Sequence, residues 1–197
     1  MDPWIHWVRR LQHVSETGLL YATDRHDITR YEEVGRLAAE IAGQGSGLDT
    51  HGVGHPTPKV DVRGALVRDG KVLLVREVAD GRWTLPGGWA DIGEPPSRSA
   101  EREFREEAGI PVRAVKLIAL HDRDRHNFPP HVHHIFKLFF LMEETGEPHG
   151  EPDDEIDEIG WFRLDDLPSL STGRASRDQI ELALAHAERP ELPADFD

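Results

Sequence analysis

Apolar positions recur at a helical period along the first forty residues. Trp4, Ile5, Trp7, Val8, Leu11, Val14 and Leu19 follow a repeat near 3.6 over residues 3–22, and Tyr31, Val34, Leu37, Ala38 and Ile41 resume it after the polar break Asp24-Arg25-His26-Asp27. The pattern predicts a helical hairpin. Two helices cannot build a core alone, so their apolar stripe needs cover from the main domain or from a partner subunit. Two readings follow: a structural appendage, or an element that dimerises and shapes the substrate site.

Residues Gly43 to Pro58 are rich in Gly, Pro, Ser and Thr and lose all periodicity, which marks a linker. The expected organisation is an extension over 1–45, a linker over 46–58 and a main domain over 59–197. Beyond the linker the signal becomes strand-like. Val60, Val62, Ala65 and Val67 lead to the turn Arg68-Asp69-Gly70-Lys71, and Val72-Leu73-Leu74-Val75 follows. A second turn at Asp80-Gly81 precedes Trp83-Thr84-Leu85-Pro86 and the pair Gly87-Gly88. A charged helix is expected from Pro96 or Ser97, with Gly109 in the C′ position. Strands are expected at Val112–Leu120, over a run from Ile135 to Met142, and at Ile159–Phe162, with an acidic loop from Glu143 to Glu158. An amphipathic helix over 175–188 closes the pattern. Strands on both sides of a central helix, with another helix at the end, predict an α/β class protein: an α/β/α sandwich around a mixed sheet, preceded by the small hairpin.

Composition narrows the chemistry. A formal net charge of −14 argues against a basic nucleic-acid grip. Phosphate handled by such a chain needs positive charge supplied locally, from a few arginines or a metal. The absence of cysteine excludes disulfides and thiolate metal sites. No apolar run approaches a membrane span and the first residues lack an apolar signal core, so a cytoplasmic location without membrane contact is expected.

On the charged helix, Glu103, Glu106 and Glu107 stand at i, i+3 and i+4, which brings three carboxylates onto one face. Uncompensated, each like-charge pair costs about 0.2–0.5 kcal/mol. A divalent cation turns that cost into binding, and hard oxygen ligands suit Mg²⁺ or Mn²⁺.

Written as a pattern, Gly88 is followed by five residues, Glu94, seven more, and then Arg102-Glu103-Phe104-Arg105-Glu106-Glu107-Ala108-Gly109-Ile110. This resembles the Nudix hydrolase signature at every specified position. Trp4-Ile5-His6-Trp7, Thr17-Gly18-Leu19, Arg30-Tyr31-Glu32-Glu33, Val60-Asp61-Val62-Arg63, Lys137-Leu138-Phe139-Phe140 and the turn from Leu170 to Arg174 are similar to a Nudix subgroup with a helical N-terminal extension. That subgroup includes CDP-choline pyrophosphatases and ADP-ribose pyrophosphatase-like enzymes. The resemblance implies metal-dependent cleavage of a nucleoside diphosphate linked to X, giving a nucleoside monophosphate and phosphorylated X. It implies Mg²⁺ or Mn²⁺ on Glu103, Glu106 and Glu107, with the Gly88 carbonyl as a further ligand, and a homodimer. Glu94 and Arg102 would brace the loop against the helix.

The general base is expected first at Glu158 and next at Glu155 in the acidic loop, with the helix residue Glu106 as a further candidate, since the base must reach the attacking water. Arg63 is a candidate phosphate clamp, with Arg76 and Lys137 as further substrate-binding cations. Trp89 is a candidate for stacking on a base, and Trp83 for the core. His121, His126, His131, His133 and His134 suggest either pocket contacts or metal ligation, although strand alternation would send His133 and His134 to opposite faces. Two rival functions are a hydrolase that removes oxidised nucleoside triphosphates and a non-catalytic nucleotide sensor. The first lacks a reason for the extension. The second is disfavoured by the intact glutamates. Isoprenoid diphosphate isomerisation is disfavoured because no cysteine is present for its acid/base chemistry.

Overall fold

The structure, a computed structural model, describes residues 3–43, 57–146 and 153–197. Most of the expected linker, and residues 147–152 of the acidic loop, lie outside the described residues. Two compact units form: Met1–Pro58 with Pro130–His134, and Lys59–Pro129 with Ile135–Asp197.

The first unit is the expected hairpin, α1 (Pro3–Tyr21) and α2 (Arg25–Gly43). The break is shorter than the polar run suggests. Asp24 Oδ1 accepts the backbone N–H groups of His26 at 2.9 Å and Asp27 at 3.3 Å, an N-cap that lets α2 begin at Arg25. Ser15 Oγ donates to the Tyr31 carbonyl at 2.7 Å and ties the two helices together. Ile5, Val8, Ala38 and Ala42 are buried. Segment 130–134 joins this unit through Arg9, whose guanidinium donates to the carbonyls of His131 (2.7 Å), Val132 (2.8 Å) and His133 (2.7 Å). The placement of His133 and His134 on a strand is therefore corrected: a loop carries them, and the strand begins only at Ile135.

The second unit is a mixed sheet with helices on both faces. Its strands are β1 (Lys59–Arg68), β2 (Lys71–Glu77), β3 (Trp83–Thr84), β4 (Val112–Asp122), β5 (Ile135–Glu144), β6 (Ile156–Phe162) and β7 (Asp195–Phe196). The order is β3-β2-β1-β5-β4-β7, with β6 paired to β2 and β1 parallel to β5. Helix α3 (Pro96–Ala108) covers one face through Ala100, Phe104 and Ala108, packed with Val62, Leu66, Leu73 and Val75. Helix α4 (Arg177–Glu188) covers the other through Ile180 and Ala183, packed with Ala65, Val72, Leu74 and Phe139. Alternating residues of β1 and β2 thus feed the two cores in turn. Helix α4 starts at Arg177, two residues later than the apolar pattern suggested, because Ser176 and Gln179 form a capping box there. Strand β7 carries no periodicity to announce it; among the described residues it pairs only through Ala119–Asp195 and Leu120–Phe196. Among the described residues no helix is long and apolar enough to cross a membrane.

Candidate active site

The chain between Pro86 and Ala90 behaves as an extra strand on the free side of β1. Gly64 N donates to Pro86 O, Val62 N to Gly88 O and Ala90 N to Val60 O, at 2.8–2.9 Å. The contact is so close that only glycine fits at its centre. Gly87 has φ +141°, and a Cβ there would lie 2.0 Å from the Val62 carbonyl. The loop then turns through Gly93 into α3, with Pro96 in the first turn, and the helix ends in left-handed Gly109, whose N–H caps Arg105 O.

This docking presents the carboxylates of α3 to the loop. Glu107 is buried and accepts the Gly87 N–H at 2.9 Å. Burial pushes its carboxyl up to about 8, with Glu103 and Glu77 adding to the rise and Arg63 opposing it. Glu103 is half-buried and also raised, by burial ahead of the opposing Arg102. Its carboxylate lies against Gly88, where a Cβ would come within 2.9 Å of Oε2. Glu106 is exposed.

Glu94 and Arg102 meet as expected, at 3.3 Å. Glu94 also accepts from Ser99 Oγ at 2.8 Å, and that bond, followed by Arg102, holds its carboxyl below the usual range. Arg102 extends further, to Asp91 (3.0 Å), Glu103 (2.9 Å) and Glu106 (3.0 Å), so one guanidinium ties the loop to two of the three helix glutamates.

The three expected substrate cations are all engaged in ion pairs. Arg63 is buried and forks onto Asp61 (Nε–Oδ1 3.1 Å, Nη2–Oδ2 2.9 Å), while Nη1 donates to Leu85 O at 3.2 Å. Lys137, cross-strand from Asp61, places Nζ 2.6 Å from its Oδ1 and is only 1% exposed. Burial lowers this ammonium to about 8 in spite of Asp61. Asp61 is opposed by its own burial, yet Arg63 and Lys137 together hold it below the usual range. Arg76 forks onto Asp157 at 2.8 and 3.2 Å and reaches Glu158 at 2.8 Å. The phosphate clamp expected at Arg63 is therefore turned inward to a carboxylate.

The loop glutamates separate. Glu158 faces Arg76 across the β2–β6 ladder. Glu155 belongs to a turn docked on the end of α3, where Asp153 N donates to Glu106 O at 3.1 Å and Val78 N to Glu155 O at 2.8 Å. Trp83 is buried edge-on to Phe162, a core residue, whereas Trp89 is 46% exposed with the Lys59 ammonium 5.6 Å from its ring centre. The histidines divide between the two units. His121 and His126 stack at 3.8 Å in the sheet unit and pair with Asp195 and Asp197 at 2.9 and 3.1 Å, while His131, His133 and His134 belong to the hairpin unit.

One residue escaped the sequence reading. Glu77, at a bulge that ends β2, is buried; burial raises its carboxyl against the pull of Arg174, and its charge acts on both Arg63 and Glu107. An acidic residue ending a strand carries no distinctive spacing, and only its partner's place in the Leu170–Arg174 turn hints at it.

The carboxylate set fits a hard divalent cation. Glu107 is buried and has no salt-bridging side chain among the described residues, Glu103 stands half-buried beside it, and the glycine loop leaves no room for a side chain between. A glycine loop braced on a carboxylate helix, set in an α/β/α sandwich, is an arrangement suited to metal-assisted chemistry on a phosphate compound. The comparisons agree. Residues 58–183 match the NUDIX domain model, and residues 2–55 match the model described as a UDP-X-like, N-terminal oligomerisation domain. The chain belongs to the Nudix hydrolases, enzymes that generally use divalent metal ions. It is 34% identical over 202 residues to the Bacillus subtilis protein described as "Putative ADP-ribose pyrophosphatase YjhB", covering 98% of this chain and 97% of that protein. It is similar to the crystal structure of a UDP-X diphosphatase (TM-score 0.66, 30% identity, 98% of each chain). It is also similar to an ADP-ribose pyrophosphatase from Streptococcus suis 89-1591 (TM-score 0.66, 36% identity, 72% of this chain and 100% of that one).

Gly88 offers a direct check on this geometry. In Gly88→Ala the new methyl displaces the flexible Glu103 carboxylate rather than backbone. The melting temperature should stay close to wild type while kcat/KM falls by about 10²-fold, the usual cost of misplacing a reacting group by roughly 1 Å.

Proposed function

We propose that this enzyme hydrolyses the phosphoric anhydride of a nucleoside diphosphate linked to X, such as an ADP-ribose-like, CDP-choline-like or UDP-X compound, to a nucleoside monophosphate and phosphorylated X. The observation that carries the reading is the buried Glu107 carboxylate, held on the Gly87 N–H beside Glu103. Glu103 and Glu107 are the principal ligands, with Glu106 at the exposed edge. The Gly88 carbonyl accepts from Val62 N and retains a second lone pair for the same ion. Mg²⁺ or Mn²⁺ bound there supplies Lewis acidity to the phosphoryl oxygens and lowers the pKa of water. Glu94 and Arg102 hold the loop and helix in register.

In the reaction, water oxygen bonds to phosphorus, the bond to the leaving phosphate breaks with its electron pair, and the water's proton passes to a carboxylate. Glu155 is the favoured acceptor, because its turn is docked on α3 whereas Glu158 is paired with Arg76. Arg63 is assigned to positioning. Its fork neutralises Asp61, and Nη1 holds Leu85 O just ahead of the glycine pair.

Incubation with Mg²⁺ or Mn²⁺ and a panel of ADP-ribose, CDP-choline, UDP-sugars and nucleoside triphosphates, followed by product identification, tests the reading. Nucleoside monophosphate plus phosphorylated X is expected. Turnover confined to triphosphates would instead assign the removal of damaged nucleotides, and no turnover at all would overturn the enzymatic reading for this panel.

The hairpin supports a homodimer. Trp7, Val14 and Tyr21 repeat every seven residues along α1 and are exposed at 60%, 49% and 67%, and α2 adds exposed Leu37 and Ile41. Trp7→Glu combined with Val14→Glu should shift the mass measured by light scattering from dimer to monomer. Loss of a central aromatic anchor is worth roughly 2 kcal/mol or more. An unchanged dimer would move the interface elsewhere.

A further inference from the structure

The turn from Leu170 to Arg174 has no part in the carboxylate helix, yet it delivers a guanidinium to Glu77, whose neighbour Val78 donates its N–H to Glu155 O in the turn docked on α3. Arg174 Nε lies 2.6 Å from Glu77 Oε1, and Nη1 donates to Ser171 Oγ at 2.9 Å and to Asp80 Oδ2 at 3.2 Å. Ser171 Oγ donates to the same Asp80 oxygen at 2.7 Å. The turn itself is hydrogen-bonded to β3, with Trp83 N donating to Ser169 O and Ser171 N to Trp83 O. Three acceptors therefore engage Nε and Nη1 of the guanidinium. Nη2 has no protein partner among the described residues, and the side chain stays 33% exposed. Glu77, its buried partner, is the same carboxylate whose charge acts on Glu107 and Arg63.

A diphosphate brought to this acidic chain needs a cation besides the metal, and Arg63, Lys137 and Arg76 are all paired with aspartates. We propose that Arg174 is a substrate-binding residue that engages the diphosphate of the nucleoside diphosphate–X compound, and that Glu77 and Asp80 are the positioning residues that aim it. The assignment rests on the proposed function. An arginine held along Nε and Nη1 by carboxylates and a hydroxyl keeps its remaining N–H groups in a set plane, the arrangement suited to phosphate oxygens. Because its rotamers are already restricted, ordering them on binding costs little.

Binding of non-hydrolysable α,β-methylene analogues of ADP, CDP and UDP, measured by calorimetry with Mg²⁺ present, tests the proposal without turnover. Arg174→Met is expected to weaken the best-bound analogue by about 10-fold or more, to raise KM by a similar factor, and to leave kcat within about threefold. Arg174→Lys should recover only part of the loss. Mn²⁺ affinity measured without nucleotide should not change, which separates a substrate contact from damage to the metal site. Since Arg174→Met leaves Glu77 buried without its partner, the double variant Glu77→Gln/Arg174→Met removes that charge. It should fold and still bind the analogue weakly. Wild-type affinity in either variant overturns the assignment and leaves the hydrolase reading intact. If no analogue binds the wild-type protein, the assignment of Arg174 falls, and the turnover panel decides the hydrolase reading separately.

Discussion

Replacing Glu107 with glutamine is expected to lower kcat/KM on the preferred nucleoside diphosphate–X substrate by roughly 10³-fold while the protein remains folded. Glutamine keeps an oxygen to accept the Gly87 N–H and nearly the same volume in a buried position, so the loop docking survives. It removes one ligand charge, and losing several kcal/mol of Lewis-acid stabilisation translates to about 10³ in rate. Near-wild-type turnover in this variant would show that the cation does not depend on Glu107.

The same variant has a signature that requires no substrate. The folded Glu107 carboxyl lies at about 8, above its ordinary 4.5, so its neutral form contributes stability that is fully present below about pH 4.5 and is lost as pH rises through about 8. Metal-free wild type should therefore melt at progressively lower temperature between about pH 5 and pH 8.5, and Glu107→Gln should show a flatter profile across that window. Added Mn²⁺ should raise the wild-type melting temperature more at pH 8 than at pH 5, because binding requires the ionised carboxylate. Parallel profiles for the two proteins would contradict the burial argument.

The second large effect is expected at Asp61. Its carboxylate neutralises two buried cations at once, Arg63 and Lys137, at 2.9 and 2.6 Å. Asp61→Asn removes the carboxylate that both ion pairs share, and removing one partner of a buried ion pair costs about 3–5 kcal/mol. For a chain of this length that corresponds to a drop of roughly 10 °C in melting temperature. Activity should fall too, since Arg63 also holds Leu85 O next to the glycine pair. Lys137→Met should be much milder. Asp61 keeps the Arg63 fork, and the lost ammonium is one that burial already disfavours. If Lys137→Met destabilises as much as Asp61→Asn, the three charges do not act as described.

Those ion pairs mark the boundary of what the chain reveals before folding. The helix glutamates and their bracing residues were legible because they are local: Glu103 to Glu107 share a helix face, and Pro96 and Gly109 announce the helix ends. The hairpins β1–β2 and α1–α2 were legible for the same reason. The fates of Arg63 and Lys137 were not. Lys137 meets Asp61 only through the parallel β1–β5 register, 76 residues apart in sequence, and no periodicity encodes a register between distant strands. Glu77 and Arg174 are similarly distant. Strand β7 is too short to have a period, and the histidine loop reads as the start of β5 until Arg9 is seen to take its carbonyls into the hairpin unit.

The outer flank of β4 has a consequence for how copies of this protein can meet. Among the described residues, β7 covers that flank only at Ala119 and Leu120, which leaves Val112 to Ile118 as a row with no strand partner there, with Val115 exposed and Ala114 N taken by Glu101 Oε1 at 3.0 Å. Such a row is a template for joining sheets end to end into open-ended chains. Here the ladder with β5 is interrupted twice, between Ala114 and Lys116 and between Leu117 and Ala119. Arg113, paired with Glu143, and Lys116, bonded to Pro190 O, stand along the same stretch. Bulges that twist the edge and charges that must stay wet make a second sheet a poor fit. The strand flank is thus a poor template for filaments, which suits a chain whose proposed dimer closes on the helical hairpin instead.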